Sequence, residues 1–201
     1  MILMKKTSFI ARGLVAACTI LLAGAIIFFG ERASGETSAG SDSAACAVTP
    51  LMNGEFFPAL LHAVDGARHE IFIAVYSFRT GVHPRSYPDQ LVDHLARAVK
   101  RGVRVKVILE NAGERHADLS RQNIKTKELL QKRGVNVYLD SPQKTMHAKG
   151  VVVDQRLVFI GSHNFTASAL KHNSELSILI DKPDLAQKMR RYMLTIIEEA
   201  K

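Results

Sequence analysis

The chain has no tryptophan and only two cysteines among its 201 residues. Without tryptophan, any aromatic stacking on a ligand falls to Phe, Tyr or His. Cys18 lies in an apolar N-terminal stretch and Cys46 just beyond it, so a disulfide framework is excluded for the domain that follows. The sequence offers no carboxylate cluster of the kind that holds magnesium and no paired Cys/His spacing of the kind that holds zinc. Its eight histidines are scattered, which disfavours metal-dependent chemistry.

What is present is ordinary for a globular protein, with 47% hydrophobic and 23% charged residues. The 27 basic residues outnumber the 19 acidic ones, for a net charge of +8. Residues 1–35 carry a basic start (Lys5, Lys6, Arg12), then Leu14 to Phe29 without a charge, then Ala33-Ser34-Gly35. This reads as a secretory signal peptide, with an uncleaved membrane anchor as the alternative, and it predicts a periplasmic or secreted domain. Val15-Ala16-Ala17-Cys18 resembles a lipobox, but the apolar run continues past Cys18 and argues against it. Without this leader the chain keeps 23 basic and 18 acidic residues, a net +5 that suits a polyanion or an anionic membrane surface.

Residues 36–49 are rich in Ser, Ala and Gly and read as a linker, so the folded domain is expected over 50–201. Periodicity predicts helices over Glu55–Val64, from Pro88 to Gly102 with Ser86 as cap, over Leu119–Arg133, and from Pro183 onward. Strands are expected at His69–Phe78, Val103–Leu109, Val135–Leu139, Met146–Val153, Leu157–Gly161 and Asn173–Ile180. Helices alternating with strands predict an α/β fold, an α/β/α sandwich around a sheet. The hairpin from Met146 to Gly161 argues against an all-parallel sheet. Arg79 to Tyr87 is a polar loop with Gly81 and Pro84, and its Arg79, His83 and Arg85 are candidate substrate contacts. Glu110, Asn111 and Arg115 are weaker candidates on the loop after Leu109.

The chemistry concentrates between His147 and Glu175. His147 and Lys149 are two apart on a predicted strand and so share a face. An imidazole can attack phosphorus or carry a proton, and an adjacent ammonium can hold phosphate oxygens. Ser162 and Asn164 are also two apart and supply neutral donors, while a carboxylate such as Glu175 can orient an imidazole. Asp154 falls on the turn, out of step with His147, and is expected to fix the hairpin rather than react. His163 and Phe165 should point away from Ser162 and Asn164.

The run His147-x-Lys149-x4-Asp154 followed by Gly161-Ser162-x-Asn164 resembles the signature of the phospholipase D superfamily. Ala74-Val75-Tyr76-Ser77-Phe78, Lys100 to Lys106 and Lys171 to Glu175 are further matches. Within the superfamily the chain is most similar to small bacterial endonucleases with a single motif, the EDTA-resistant periplasmic type. The resemblance runs from about Leu51 to the C-terminus and implies the phospholipase D-like fold, with the mixed sheet of that fold. It also implies His147, Lys149, Asp154 and Glu175 as the catalytic set, with Lys149, Ser162 and Asn164 binding substrate.

No other histidine is followed by lysine at the second position, so the chain has one motif. The resemblance implies a homodimer in which two copies of His147 meet, one as nucleophile and one as acid. No metal or other cofactor enters that scheme. The expected substrate is nucleic acid, DNA with RNA not distinguished. A phospholipase acting on head groups, which needs an apolar entrance, is the alternative.

Overall fold

The computed structural model describes residues 46–200, with Val82 and Pro84 excepted. The expected signal segment, and all but the end of the expected linker, lie outside the described residues. Among the described residues no helix is long and apolar enough to cross a membrane.

Seven strands form one sheet: β1 (Ala47–Met52), β2 (Glu70–Val75), β3 (Arg104–Leu109), β4 (Asn136–Leu139), β5 (Lys149–Val153), β6 (Leu157–Gly161) and β7 (Leu176–Asp181). Their order is β1-β7-β6-β5-β2-β3-β4. β3 pairs in parallel with β2 and β4, and the remaining pairs are antiparallel. The sheet is therefore mixed, with the expected hairpin supplying one of its antiparallel pairs.

Five helices cover it: α1 (Phe56–Gly66), α2 (Tyr87–Lys100), α3 (Ala117–Lys132), α4 (Ala167–Lys171) and α5 (Pro183–Glu199). Alternation along β2 sorts the two faces. Ile71, Ile73 and Val75 join Leu60, Leu91, Leu95, Leu130 and Leu170 in one core, under α1 to α4. Phe72 and Ala74 join Met193, Ile196 and Ile197 of α5 in the other. All six residues of β2 are buried, as befits the strand between both helical layers.

Two polar anchors fix this frame. Buried Glu70 receives Arg190 Nε of α5 at 2.6 Å and Arg104 at 3.2 Å, tying α5 to the start of β2. Buried Asn123 of α3 donates to the carbonyls of Tyr76 and Glu110 at 2.9 Å each, and accepts from Phe78 N at 3.0 Å. It thereby joins the segments that leave β2 and β3 at the same edge of the sheet.

The sequence reading misplaces four boundaries, one of them the end of β2, which stops at Val75 rather than Phe78. Ala47, Val48 and Thr49 belong to β1 rather than to the linker, pairing with Asp181, Ile180 and Leu179. Pro50 disguises this strand, yet β1 is at the sheet edge, where proline is tolerated. The motif strand starts at Lys149, so His147 precedes it, and β7 starts at Leu176, so Glu175 precedes that. Helix α2 starts as expected, with Ser86 Oγ accepting from Asp89 N.

Candidate active site

The end of β2, the start of β5, the end of β6 and the start of β7 converge at one edge of the sheet. Register brings Val75 opposite Lys149, Gly150 opposite Ile160 and Gly161 opposite Ser177. Tyr76, His147, Ser162 and Glu175 flank these positions, so residues far apart in sequence meet there.

His147 is exposed on the stretch before β5. Hydrogen bonds hold its neighbours on both sides: Met146 N donates to Glu110 Oε2 at 2.5 Å, and Tyr76 N donates to Ala148 O at 3.0 Å. The Tyr76 ring packs on the imidazole edge-on, with centroids 4.6 Å apart. Lys149 Nζ is 3.4 Å from each ring nitrogen and donates to His147 O at 2.9 Å. The predicted His147 and Lys149 pair thus forms even though His147 is outside the strand. Burial lowers the Lys149 pKa from the usual 10.5, and the Glu175 carboxylate opposes that shift.

Ser162 N donates to Leu176 O, and Ser162 Oγ accepts from Leu176 N at 3.0 Å. The serine hydroxyl donates to Glu175 Oε2. Its proton is therefore committed to the carboxylate rather than free for a phosphate oxygen. Asn164 Oδ1 accepts from Ser77 N at 3.3 Å, which leaves its amide NH2 to donate into the cleft.

Glu175 also accepts from Asn173 Nδ2 at 3.0 Å. Among the described residues it makes no hydrogen bond to His147, so the expected orientation of an imidazole does not occur within one chain. Asn53 clasps this carboxylate's backbone: its Oδ1 accepts from Glu175 N and its N donates to Glu175 O, both at 2.9 Å. Asn53 has φ +50°, a conformation that asparagine tolerates.

Asp154 corrects the catalytic set. It lies at the far end of β5 from His147, roughly 15 Å along the strand at the usual rise per residue. Its carboxylate accepts from the amides of Arg68, His69 and Glu70 at 2.8 to 3.0 Å. Burial pushes its pKa up, but those amides together outweigh it and hold the carboxyl below its usual range. Asp154 and Gln155 have φ of +50° and +53°, which builds the primed turn that hairpins favour. The aspartate is thus a brace between this turn and the loop entering β2.

Gly161 and His163 support the edge from behind. A Cβ on Gly161 would lie 2.2 Å from Ser177 Oγ and 2.4 Å from Ser177 Cα, so only glycine fits there. His163 is buried, stacked on Phe56 at 4.3 Å and 9°. Its Nε2 lies 3.1 Å from Asn53 O and its Nδ1 2.7 Å from Ser177 Oγ. A carbonyl can only accept, so Nε2 carries the proton and Nδ1 accepts from the serine. Burial lowers the His163 pKa from 6.5 against the opposing pull of Asn53 and Glu175. Phe165 is buried as well, so both side chains point away from the cleft, as expected.

Glu110 is fully buried, which removes it from the substrate contacts suggested by its loop position. Burial raises its pKa from 4.5, the Met146 amide opposes that, and Asp140 adds to the rise. Its Oε1 is buried with no hydrogen-bond partner among the described residues, a situation that typically costs about 1–3 kcal/mol. Arg115 bridges to Pro142 O at 2.8 Å and Thr145 Oγ1 at 3.3 Å, bracing the loop ahead of His147.

Two recesses flank the site. One, of about 580 Å³, has a wall that is half polar and half apolar, with Tyr76, Ser77, Arg115, His116, Asp118, Leu119, Asn164 and Thr166 in it. Arg79, His83 and Arg85 of the polar loop do not line it. The other, of about 500 Å³, is largely apolar and lies against α5, with His147, Lys149, Ile160, Leu185, Met189 and Tyr192 in its wall. Ile160 and Tyr192 are 43% and 53% exposed, which makes this wall a surface-accessible apolar patch.

The comparisons agree with this architecture. A family model described as "Cardiolipin synthase, PLD-like domain" matches residues 60–197. Proteins called phospholipase D from Rickettsia conorii and Rickettsia typhi are 28% and 36% identical to this chain over 128 residues each. Each match takes in 64% of this chain, and 57% and 56% of the respective relative. Human mitochondrial cardiolipin hydrolase is 33% identical over 129 residues, 62% of this chain and 44% of its own. The chain spans about half the length of the curated relatives it matches. Among solved structures, Nuc from Salmonella typhimurium, described as a phospholipase D family member, is similar with a TM-score of 0.65 at 26% identity. That match covers 78% of this chain and 97% of Nuc. NucT from Helicobacter pylori shares the fold with a TM-score of 0.62 at 20% identity, covering 77% of this chain and 98% of NucT.

Proposed function

This chain belongs to the phospholipase D superfamily, and from that premise we propose that it is a phosphodiesterase, an exported, metal-independent endonuclease acting on DNA. RNA offers the same phosphodiester, and the reading extends to it. The observation that carries the reading is the half-polar recess between Tyr76 and Asn164, with Arg115 in its wall. The recess offers the Arg115 guanidinium, the Asn164 amide and the Tyr76 ring that packs on His147, with Asp118 as the opposing charge in its wall, and this set suits a charged strand with stacking bases.

In the proposed mechanism one His147 attacks phosphorus, the P–O bond to the departing sugar breaks, and a phosphohistidine forms. A second copy of this chain supplies its own His147, which protonates the leaving oxygen and then takes a proton from the attacking water. Water cleaves the P–N bond and frees the nucleophile. Lys149 and the Asn164 amide hold non-bridging oxygens, and their charge and dipoles act on the transition state. Glu175, already bonded to Ser162 and Asn173, is placed by this reading to orient the imidazole of the second copy. Residues 1–35 deliver the domain to the exported side, by a cleaved leader or a retained anchor.

A second reading has one observation in its favour. The apolar recess touches His147 and Lys149 directly, and such a wall also suits acyl chains of a phospholipid. The test is to present the full-length chain, in excess EDTA, with plasmid DNA and separately with phospholipid vesicles. Degraded DNA with intact vesicles supports the nuclease. Head-group release with intact DNA overturns it in favour of the phospholipase.

A further inference from the structure

Glu110 holds a place that fold stability alone does not explain. It follows β3 directly, is fully buried, and its Oε1 has no partner among the described residues. An apolar side chain of similar size would avoid that orphaned oxygen. Its other oxygen accepts from Met146 N, one residue ahead of His147.

That bond matters because His147 lies outside regular structure. The stretch from Asp140 to Ala148 contains no helix or strand, so no sheet ladder fixes the histidine backbone. Two hydrogen bonds bracket it: Met146 N to Glu110, and Tyr76 N to Ala148 O. Asn123 bonds the carbonyls of both Tyr76 and Glu110, so one buried amide sets the two holders relative to each other. Tyr76 also packs its ring on the imidazole. The chain of contacts runs from α3, through the ends of β2 and β3, to the backbone on each side of the nucleophile.

We propose that Glu110 is a positioning residue for His147, acting through the Met146 amide, with Asn123 setting its backbone. The role is that of an acceptor at a fixed reach. It depends on an oxygen at the Met146 N–H, and either the carboxylate or the neutral acid supplies one. It rests on the reading of His147 as nucleophile and is independent of whether the natural substrate is nucleic acid or lipid.

The experiment uses the full-length chain in EDTA with bis(p-nitrophenyl) phosphate, which reports phosphodiester cleavage by either kind of enzyme. Glu110→Gln keeps an acceptor oxygen at the same reach without the charge. Glu110→Asp keeps the charge and withdraws the oxygen by one methylene. The expected result is a kcat within about threefold of wild type for Gln and at least about tenfold lower for Asp, with KM unchanged in both. Asp should also lower the thermal midpoint, because the Met146 amide loses its acceptor, so kcat is compared well below both midpoints, where both variants are folded. The proposal is overturned if folded Asp retains wild-type kcat or if Gln loses as much as Asp. Full activity in His147→Ala would instead remove the reading on which the proposal rests, and the proposal with it.

Discussion

Replacing Asp154 with alanine should damage the fold and spare the chemistry, although the residue belongs to the recognition signature. The carboxylate accepts three backbone amides at 2.8 to 3.0 Å, those of Arg68, His69 and Glu70. Bonds to a charged group contribute roughly 1.5–3 kcal/mol each when shielded from water. Those from Arg68 and His69 face solvent, where water takes over part of the role, so the summed loss should be about 2–4 kcal/mol. For a domain of this size that lowers the thermal midpoint by roughly 5–15 °C. The pH dependence gives a second handle. The folded pKa of Asp154 is depressed below its usual 3.8, so its contribution is fully present above that value and is lost as pH falls through the folded pKa. The stability gap between wild type and Asp154→Ala should therefore close as pH drops below about 4. The assay is denaturant unfolding at several pH values, with kcat measured well below the midpoint. A kcat that collapses while stability stays at wild-type level would refute the structural role. So would a gap that stays constant into strong acid.

Other perturbations follow from the same geometry. Gly161→Ala puts a methyl group against Ser177 Oγ and its backbone, and should lower stability by about 1–3 kcal/mol by forcing β6 and β7 apart; an unchanged thermal midpoint would contradict the register. Burial lowers the Lys149 pKa, so kcat should fall as pH rises through a value below the usual 10.5. Glu175→Gln removes the opposing charge and should move that alkaline limb to still lower pH; a pH–rate profile with no shift would break the link between the two groups. His163 is held neutral by burial, so stability should be complete above about pH 6.5 and decline as pH falls below it, because the unfolded chain takes the proton first. His163→Phe should flatten that decline between pH 7 and 5, and an unaltered slope would count against this account.

Much of the site was legible because its chemistry sits in short sequence spacings. His147 and Lys149 meet as their separation of two predicts, whereas Ser162 bonds Glu175 and Asn164 bonds the Ser77 amide, partners that their spacing does not reveal. The burial of His163 and Phe165 follows from alternation. That the sheet is not all-parallel was legible from a valine-rich hairpin, and the bracing role of Asp154 from its parity and its position on the turn. What sequence could not show depends on tertiary bonds across long separations. Asn53 reaches Glu175 and His163 over more than a hundred residues, and no local pattern marks it. Glu110 looked like a loop residue open to substrate because nothing local reveals that Met146 comes to lie on it. Strand β1 was hidden by Pro50, which an edge strand accommodates and an interior strand would not. The proton of Ser162 was expected for phosphate, and its commitment to Glu175 required the two strand ends to be seen side by side.

The most direct test of the account is to trap the intermediate. Full-length chain in excess EDTA is mixed with a short DNA duplex, quenched, digested, and its peptides are weighed. The account predicts a nucleotide-phosphoryl adduct on the peptide carrying His147, with no adduct and no cleavage in His147→Ala. Cleavage that EDTA abolishes, or an adduct on any other residue, would contradict it.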